Sequence, residues 1–322
     1  MESISEISTN YLKTCTNNKK LSKHTLKAYK IDLSQFESCV GSSTGLPEIT
    51  KVEITKFHDW LSELELAPAT IKRKLACVKA MFRWLELEEI LTINPFNKIR
   101  TAIKLPRRLP RNVTASDILK MIKKAKTELG IPLSNMYSIQ ELNGLTCTKK
   151  SLNKLTTILS IELMLCTGMR VSELAGIGIA SVNVPDRKIK LFGKGSRERF
   201  VYLPDKETCN LVQAYDIARK ITEPCTDNFL VNSRGQPAST QFIRKLIREA
   251  AQNAYVETRI TPHMLRHSAA CELIESGLDI RFVQRLLGHS SISTTEIYTH
   301  VSDNLLRDKV SQANVRDRIM KK

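Results

Sequence analysis

Six ionisable side chains in four short segments have the types and spacing that phosphodiester transfer without a metal requires. They are Arg170, Lys194, His263, Arg266, His289 and Tyr298. Two arginines carry permanent charge on forked donors, which suit the non-bridging oxygens of a phosphate as negative charge develops in the transition state. Such a reaction also needs a nucleophile, a base and an acid, and the set contains a candidate for each role.

Tyr298 is the predicted nucleophile. A phenol has an ordinary pKa of about 10, so its proton must leave during attack, and a nearby base and cations would assist. His263 stands three residues before Arg266 on the same face of a predicted helix, and it is the expected base. Lys194 lies in the turn of a predicted hairpin, from which it could protonate the departing 5′ oxygen.

Each of these residues alone also has an ordinary structural interpretation. The tyrosine could be a packed aromatic, Arg170 could pair with Glu173, and the histidines and the lysine could be helix caps or turn residues. The joint occurrence of all six residues in this order favours chemistry over those separate roles.

Other functional motifs fail on spacing. The segment Gly193-Lys-Gly-Ser196 lacks the earlier glycine of a phosphate-binding loop, and Gly195 separates its lysine from its serine. His263 and His267 are four residues apart, as zinc ligands can be, but Arg266 beside them would repel a cation. Gly176-x-Gly178 lacks the third glycine of a dinucleotide fingerprint. The sequence therefore indicates neither a metal nor a cofactor.

Composition favours a polyanionic partner. The 322 residues include 50 Lys and Arg against 33 Asp and Glu, which gives a formal net charge of +17. A solvated basic surface is the alternative explanation of that charge. The eight cysteines are scattered without metal-binding spacing, and neither a secretory signal nor a membrane-spanning run is evident. We expect a cytoplasmic, nucleoid-associated protein with no membrane partner.

The N-terminal part of the chain is predicted to be a small helical bundle. Between Ser22 and about Glu89 apolar residues recur at the spacing of three amphipathic helices, and a shorter helix precedes them. Thr50 and Glu53 fit a capping box that opens the second of these helices, and Pro68 suits the first turn of the third. We assign residues 1–92 to this domain.

Residues 93–112 are predicted to be a basic linker between two domains. No acidic residue occurs between Glu89 and Asp117, and three prolines in this stretch forbid a continuous helix. Unneutralised like charges favour an extended chain lying along something anionic, although an ordinary solvated connector is the alternative. The expected DNA-binding residues are Lys98, Arg100, Lys104, Arg107, Arg108 and Arg111.

Residues 113–322 are predicted to form a second domain that mixes helices with a small β element. Lys188–Phe192 and Arg199–Leu203 resemble strands joined by a turn that contains Lys194. Helical periodicity returns further on, with Gly277 and Gly288 as expected helix ends. The predicted helices cover Thr240–Ala251, Pro262–Ser276, Ile280–Leu287 and Ser293–His300. The fold class is therefore mainly α with a small β hairpin or sheet.

At these residues the sequence closely resembles the tyrosine recombinases, or phage integrase family, and within them the Xer-like members. The strongest stretches are Leu265-Arg-His-Ser268 and Leu287-Gly-His-Ser-Ser-Ile-Ser-Thr-Thr-Glu-Ile-Tyr-Thr-His-Val301. Near the N-terminus, Ser22–Phe36 and Ala69–Ala76 are also similar to the family. The resemblance thus covers most of the chain.

The resemblance implies a helical core-binding, SAM-like domain and a mixed α/β catalytic domain that clamp duplex DNA. Arg170, Lys194, His263, Arg266 and His289 would activate the scissile phosphate, and Tyr298 would form a 3′-phosphotyrosyl link. The family further implies a homotetramer on paired recombination sites and strand exchange through a Holliday junction without ATP, and it leaves room for an accessory directionality factor. It also implies that the C-terminal tail packs on a neighbouring protomer.

Two features of the sequence bear on the kind of recombinase that is expected, and two alternative functions stay open. The segment from about Thr127 to Thr157 is longer than is usual in Xer-like proteins, and no separate arm-binding domain precedes the bundle, which favours short core sites. The reaction could be integration, excision or resolution, in a mobile element or a replicon. The alternatives are relaxation of DNA like a type IB topoisomerase, and a catalytically silent DNA-binding accessory protein.

Overall fold

The computed structural model describes residues 2–19, 21–99, 112–131, 148–192, 198–288 and 303–320. The chain divides into two compact units, Met1–Arg108 and Leu109–Lys322. The division falls inside the predicted linker 93–112. The two units are described separately below.

The N-terminal unit contains the predicted helices. They are α1 (Ile4–Asn17), α2 (Lys23–Val40), α3 (Lys51–Glu63) and α4 (Pro68–Leu87). Short 3-10 turns cover Leu46–Glu48 and Pro95–Lys98. The capping box of Thr50 and Glu53 opens α3, and Pro68 is in the first turn of α4, so both predicted helix starts are confirmed.

An aromatic cluster forms the core of this unit. Phe36 from α2 meets Phe57 from α3 edge to face with ring centroids 5.1 Å apart, and it meets Phe82 from α4 in the same way at 6.1 Å. All three rings are fully buried. Edge-to-face contacts add directional packing to the burial of large apolar surfaces, so the aromatic rings fix how the helices cross.

The C-terminal unit is mostly helical. Its helices are α5 (Ala115–Leu129), α6 (Lys149–Thr167), α7 (Val171–Ala175), α8 (Lys206–Arg219), α9 (Thr240–Asn253), α10 (Pro262–Glu275), α11 (Ile280–Leu287), α12 (Asp303–Ala313) and α13 (Val315–Met320). Helices α9, α10 and α11 confirm three predicted helices to within two residues at each end. The helix predicted over Ser293–His300 lies outside the described residues.

Helix α6 is the centre of this unit. Leu152, Ile158 and Leu163 on it are fully buried, and the helix packs against α5, α8, α9 and α10. A helix that is apolar on most sides belongs in the middle of a core. Among the described helices none, α6 included, is long and apolar enough to cross a membrane.

A three-stranded antiparallel sheet confirms and extends the predicted hairpin. Its strands, in the order β1-β2-β3, are β1 (Val182–Asn183), β2 (Lys188–Phe192) and β3 (Glu198–Tyr202). Strand β3 begins one residue earlier than predicted, and β1 was not predicted because two residues carry too little periodicity. The mainly α fold with a small sheet is confirmed.

The C-terminal helix α13 packs on its own chain, where it contacts α5, α6 and α10. Arg316 on α13 is 4% exposed, and its Nε lies 3.3 Å from Oε2 of the fully buried Glu162. Its Nη1 lies 3.8 Å from Oδ2 of Asp205, at the start of α8. The acids of the same chain thus surround the buried Arg316. The packing of the tail on a neighbouring protomer, which the resemblance implies, stays a prediction.

A buried carboxylate also ties two helices of the N-terminal unit together. Asp32 on α2 is fully buried, and its Oδ1 accepts a hydrogen bond from Lys74 Nζ at 2.9 Å. Arg73, also on α4, donates to both carboxylate oxygens. Since Lys74 is itself only 5% exposed, its charge depends on Asp32 for compensation.

Asp32→Asn should therefore destabilise the N-terminal unit by about 3 kcal/mol, since it leaves a buried ammonium uncompensated. Both tryptophans, Trp60 and Trp84, lie in this unit, so their fluorescence during urea unfolding reports on it. Asp59→Asn is the control, because Asp59 is 65% exposed and pairs with the neighbouring His58 at the surface. Equal unfolding midpoints for the two variants would show that the buried pair does not hold the helices.

Candidate active site

The end of α6 places the first predicted arginine. Gly168 caps α6 in the left-handed conformation at φ 62°, and two residues later Arg170 is the N-cap of α7. A Cβ on Gly168 would lie 2.3 Å from Leu287 Cδ2, so a side chain there would require Leu287 to move, and the left-handed φ also favours glycine. Arg170 therefore lies at the junction where α6 ends and α7 begins.

Arg266 on α10 joins these two helix ends. Its Nη1 donates to the carbonyl of Gly168 at 2.7 Å, and its Nη2 donates to the carbonyl of Leu287 at 2.7 Å. Carbonyls at a helix C-terminus carry partial negative charge, so both hydrogen bonds stabilise the cation. Burial and the neighbouring Arg170 lower the pKa of Arg266 to about 10, which leaves it charged at neutral pH.

Glu173 is the carboxylate beneath the arginines. Its side chain is 3% exposed and lies 2.9 Å from Arg170 Nη1 and 2.7 Å from Arg199 Nη2, with Arg266 Nη1 at 3.9 Å. It also accepts the backbone N–H of Arg170 at 2.7 Å, which completes a capping box. Burial raises the pKa of Glu173, but the Arg170 backbone bond and the Arg199 cation outweigh burial and lower it overall. Glu173 is therefore ionised at neutral pH.

Arg199 belongs to this cluster and was missed by sequence reasoning. It is on β3 opposite the buried Leu191, on the same face as the buried Val201. Its Nη1 donates to the carbonyl of Leu286 and its Nη2 to Glu173. The signal that could have found it was its alternation with Val201, which predicts an inward-pointing arginine directly after the Lys194 turn.

Arg170 and Arg266 line an open cleft together with His263. The cleft has a volume of about 760 Å³, and His263, in the first turn of α10, is exposed along it. Further cations line the described part of the cleft without an acidic residue among them. They are Arg244, Lys245, Arg248 and Arg259. Such a surface suits a polyanion that carries its charge in a row.

The described residues thus bring together half of the predicted chemical set. Arg170, His263 and Arg266 lie at one cleft, whereas Lys194, His289 and Tyr298 are outside the described residues. Of the predicted linker residues, Lys98 ends a short turn. The others, Arg100, Lys104, Arg107, Arg108 and Arg111, are also outside the described residues.

The cluster holds excess positive charge at the cleft, where Arg170 and Arg266 are in reach of a phosphate. Three guanidiniums, those of Arg170, Arg199 and Arg266, share the single carboxylate of Glu173, so the group has a net charge of about +2. Arg170 is the most exposed of the three, with 40% of its side chain accessible, and its Nη2 also donates to the carbonyl of Gly288 at 2.8 Å. A basic cleft lined by Arg170 and Arg266 is suited to a phosphodiester of a nucleic acid.

Residues 135–304 match the model of the Phage integrase family, and residues 9–89 match that of the phage integrase N-terminal SAM-like domain. The chain belongs to the phage integrase family. It is an enzyme of the tyrosine site-specific recombinase type, as predicted.

Curated relatives agree over nearly the whole length. A tyrosine recombinase of Agathobacter rectalis is 34% identical over 300 residues, which is 92% of each chain. Tyrosine recombinase XerC of Thermodesulfovibrio yellowstonii is 32% identical over 302 residues, which is 91% of each chain. The predicted Xer-like character is confirmed by these relatives.

Solved structures share the fold at low sequence identity. The Tn1549 transposon integrase in complex with transposon right end DNA superposes with a TM-score of 0.69 at 16% identity, covering 97% of this chain and 99% of that one. A lambda integrase tetramer bound to a Holliday junction gives a TM-score of 0.66 at 18% identity, covering 94% and 81%. The two-part integrase architecture is therefore confirmed.

Glu173→Gln should destabilise the C-terminal unit, by about 3 kcal/mol at neutral pH, because three guanidiniums then lack their shared carboxylate. The lowered pKa means that the wild-type advantage is complete above the unfolded value of about 4.3 and is lost as the pH falls through the folded value. Urea unfolding followed by circular dichroism from about pH 7 to 3 measures this difference.

Glu249→Gln is the matched control for this measurement. Glu249 pairs with Lys245 on the surface of α9 at 3.6 Å and is 45% exposed, so its loss should change stability little. A Glu173→Gln deficit that stays constant across the pH range would contradict the role given to the ionised carboxylate.

Proposed function

We propose that this recombinase cleaves and rejoins duplex DNA through a 3′-phosphotyrosyl bond at Tyr298, with Arg170 and Arg266 holding the scissile phosphate. The observation that carries the proposal is the convergence of these two guanidiniums and His263 on one basic cleft. Their Nη atoms are held by helix C-termini and Glu173, so they are oriented before a substrate arrives.

In the proposed first step, Tyr298 Oη attacks phosphorus and its proton passes to His263. The bond from phosphorus to the 5′ oxygen breaks, and that oxygen takes a proton from Lys194. The products are a 3′-phosphotyrosine and a free 5′ hydroxyl. His289 would donate a further hydrogen bond to the phosphate.

Rejoining is the same reaction in reverse with a 5′ hydroxyl from another strand. That hydroxyl attacks the phosphotyrosine, returns a proton to the lysine, and releases Tyr298. The ester between phosphate and tyrosine replaces the ester between phosphate and DNA, so the bond energy is retained and neither a nucleotide cofactor nor a metal is required.

DNA would lie along the basic cleft and the linker. Arg244 and Arg248 are one turn apart on α9 and line the cleft beside Arg170. We assign residues 1–92 to a core-binding domain, 93–112 to a linker that follows the DNA backbone, and 113–322 to the catalytic domain. Phosphate contacts from the basic residues would position the enzyme without specifying sequence.

The proposed assembly is a homotetramer that pairs two short duplex sites and exchanges strands through a Holliday junction. The lambda integrase structure with the related fold shows a tetramer on such a junction, and the relatives include XerC recombinases. Integration, excision and resolution all use this chemistry. An accessory directionality factor would select among them, and the enzyme would act at the nucleoid.

Tyr298→Phe should abolish the covalent complex and leave DNA affinity within about twofold, because only the nucleophilic oxygen is removed. The substrate is a nicked duplex built on the site that the wild-type protein selects from random DNA. Denaturing gels report the adduct, and fluorescence anisotropy reports binding. Tyr255→Phe is the control, since Tyr255 is 90% exposed. An adduct that persists in Tyr298→Phe would assign the nucleophile to another residue.

Arg244→Gln and Arg248→Gln should each weaken binding to that site and reduce the slope of log K against log salt by about 0.9 for each phosphate that the variant no longer neutralises. The measurement is anisotropy between about 50 and 200 mM salt. Arg234→Gln is the matched control, because Arg234 is exposed and is not among the residues lining the cleft. Slopes equal to that of the control would place the DNA elsewhere.

A further inference from the structure

Arg199 links the β hairpin to the end of α11. Strands β2 and β3 are the two arms that flank the connection 193–197, and Lys194 is within that connection by sequence. Arg199 is the second residue of β3 and reaches from it to the carbonyl of Leu286, in the last turn of α11. Among the described residues, the side chain of Arg199 thus joins the hairpin to the helix that precedes His289 in the sequence.

The arginine is enclosed on the side of α11. Its side chain is 15% exposed, and Gly288 passes directly over it at φ 64°. A Cβ on Gly288 would lie 2.9 Å from Arg199 Nε and 3.0 Å from its Cδ. A side chain at position 288 would therefore require Arg199 to move, and the left-handed backbone there also favours glycine.

Burial of the Arg199 cation lowers the stability of the folded chain. Desolvation lowers the pKa of Arg199, and its compensating carboxylate, Glu173, is already shared with Arg170 and Arg266. Its Nε is buried and has no hydrogen-bond partner among the described residues. An apolar side chain on the inward face of β3 would pack the hairpin at lower cost, so the arginine serves orientation more than stability.

We propose that Arg199 is a positioning residue that docks the β hairpin onto the end of α11, and that proton donation by Lys194 depends on this contact. The proposal rests on the proposed function, in which Lys194 is the general acid. The guanidinium suits this task because its fork makes two directional bonds at once, to Leu286 and to Glu173. Loss of Arg199 should then impair protonation of the departing strand.

A substrate whose cleavage needs no general acid distinguishes a positioning role of Arg199 from an action on the phosphate or on stability. When sulfur replaces the 5′ bridging oxygen at the scissile phosphate, the leaving group is a thiolate, because a thiol has a pKa of about 8.5, far below that of an alcohol. Cleavage of the phosphorothiolate is thus independent of Lys194, while it still requires the nucleophile and the arginines that hold the phosphate.

The experiment compares single-turnover cleavage of matched oxygen and sulfur substrates by the full chain. Arg199→Gln should slow cleavage of the oxygen substrate by about 100-fold and that of the sulfur substrate by less than about fivefold, as Lys194→Ala should. Arg199→Lys retains the positive charge but replaces the forked guanidinium with a single ammonium, so its defect should be smaller and equally rescued by sulfur. If Arg199→Gln does not fold, Arg199→Lys takes its place in the comparison. Lys188→Gln, which removes a cation paired with Asp186 at the far end of the hairpin, should match wild type on both substrates.

The outcomes are distinguishable. If sulfur rescues Lys194→Ala but not the Arg199 variants, Arg199 acts on the phosphate or on stability, and this proposal alone is overturned. If sulfur fails to rescue Lys194→Ala, Lys194 is not the acid, and both the proposal and that part of the proposed function are overturned. Undiminished cleavage of the oxygen substrate by both Arg199 variants would likewise overturn the proposal.

Discussion

The C-terminal unit depends on holding three guanidiniums close together. Arg170, Arg199 and Arg266 repel one another, and each would be more stable alone in water. Glu173 provides one buried negative charge for all three. The remaining compensation comes from backbone carbonyls at the ends of α6 and α11, where the partial charge of a helix is negative. The site is thus organised by interactions that are permanent in the fold, which is what preorganisation of a phosphate site requires.

This constraint explains local features that are otherwise unrelated. Two helices must end with exposed carbonyls at one point, and both end at glycines in the left-handed conformation, Gly168 and Gly288. A side chain at either position would meet the opposing layer, Leu287 in one case and Arg199 in the other. The short helix α7 begins at Val171, directly after its N-cap Arg170, whose backbone N–H donates to the same Glu173 carboxylate that binds the arginines. One acid therefore sets both the helix start and the charge geometry.

Much of the fold was predictable from sequence, and the features that were missed depend on contacts between residues far apart in the chain. Periodicity located the bundle helices, the hairpin and α9 to α11, since each depends on local spacing. Residue type singled out Arg170, His263 and Arg266, and the structure places these three at one cleft, while their catalytic roles stay predictions. Arg199 was missed because its role depends on Glu173 and Leu286, which are distant in sequence and meet it only in the fold. The grouping of Arg73 and Lys74 around the buried Asp32 could not be predicted for the same reason.

The two units use a common way of presenting positive charge. In the N-terminal unit Asp32 holds Arg73 and Lys74, and in the C-terminal unit Glu173 holds a group of arginines. A buried acid that binds more than one base leaves each cluster net positive and fixes where the excess charge points. Arg73 and Arg170 are the more exposed members, at 46% and 40% of their side chains. Buried acids therefore fix the positions of some of the basic side chains that make up the net charge of +17. A protein that must orient a polyanion, and not only attract it, requires such fixed charges.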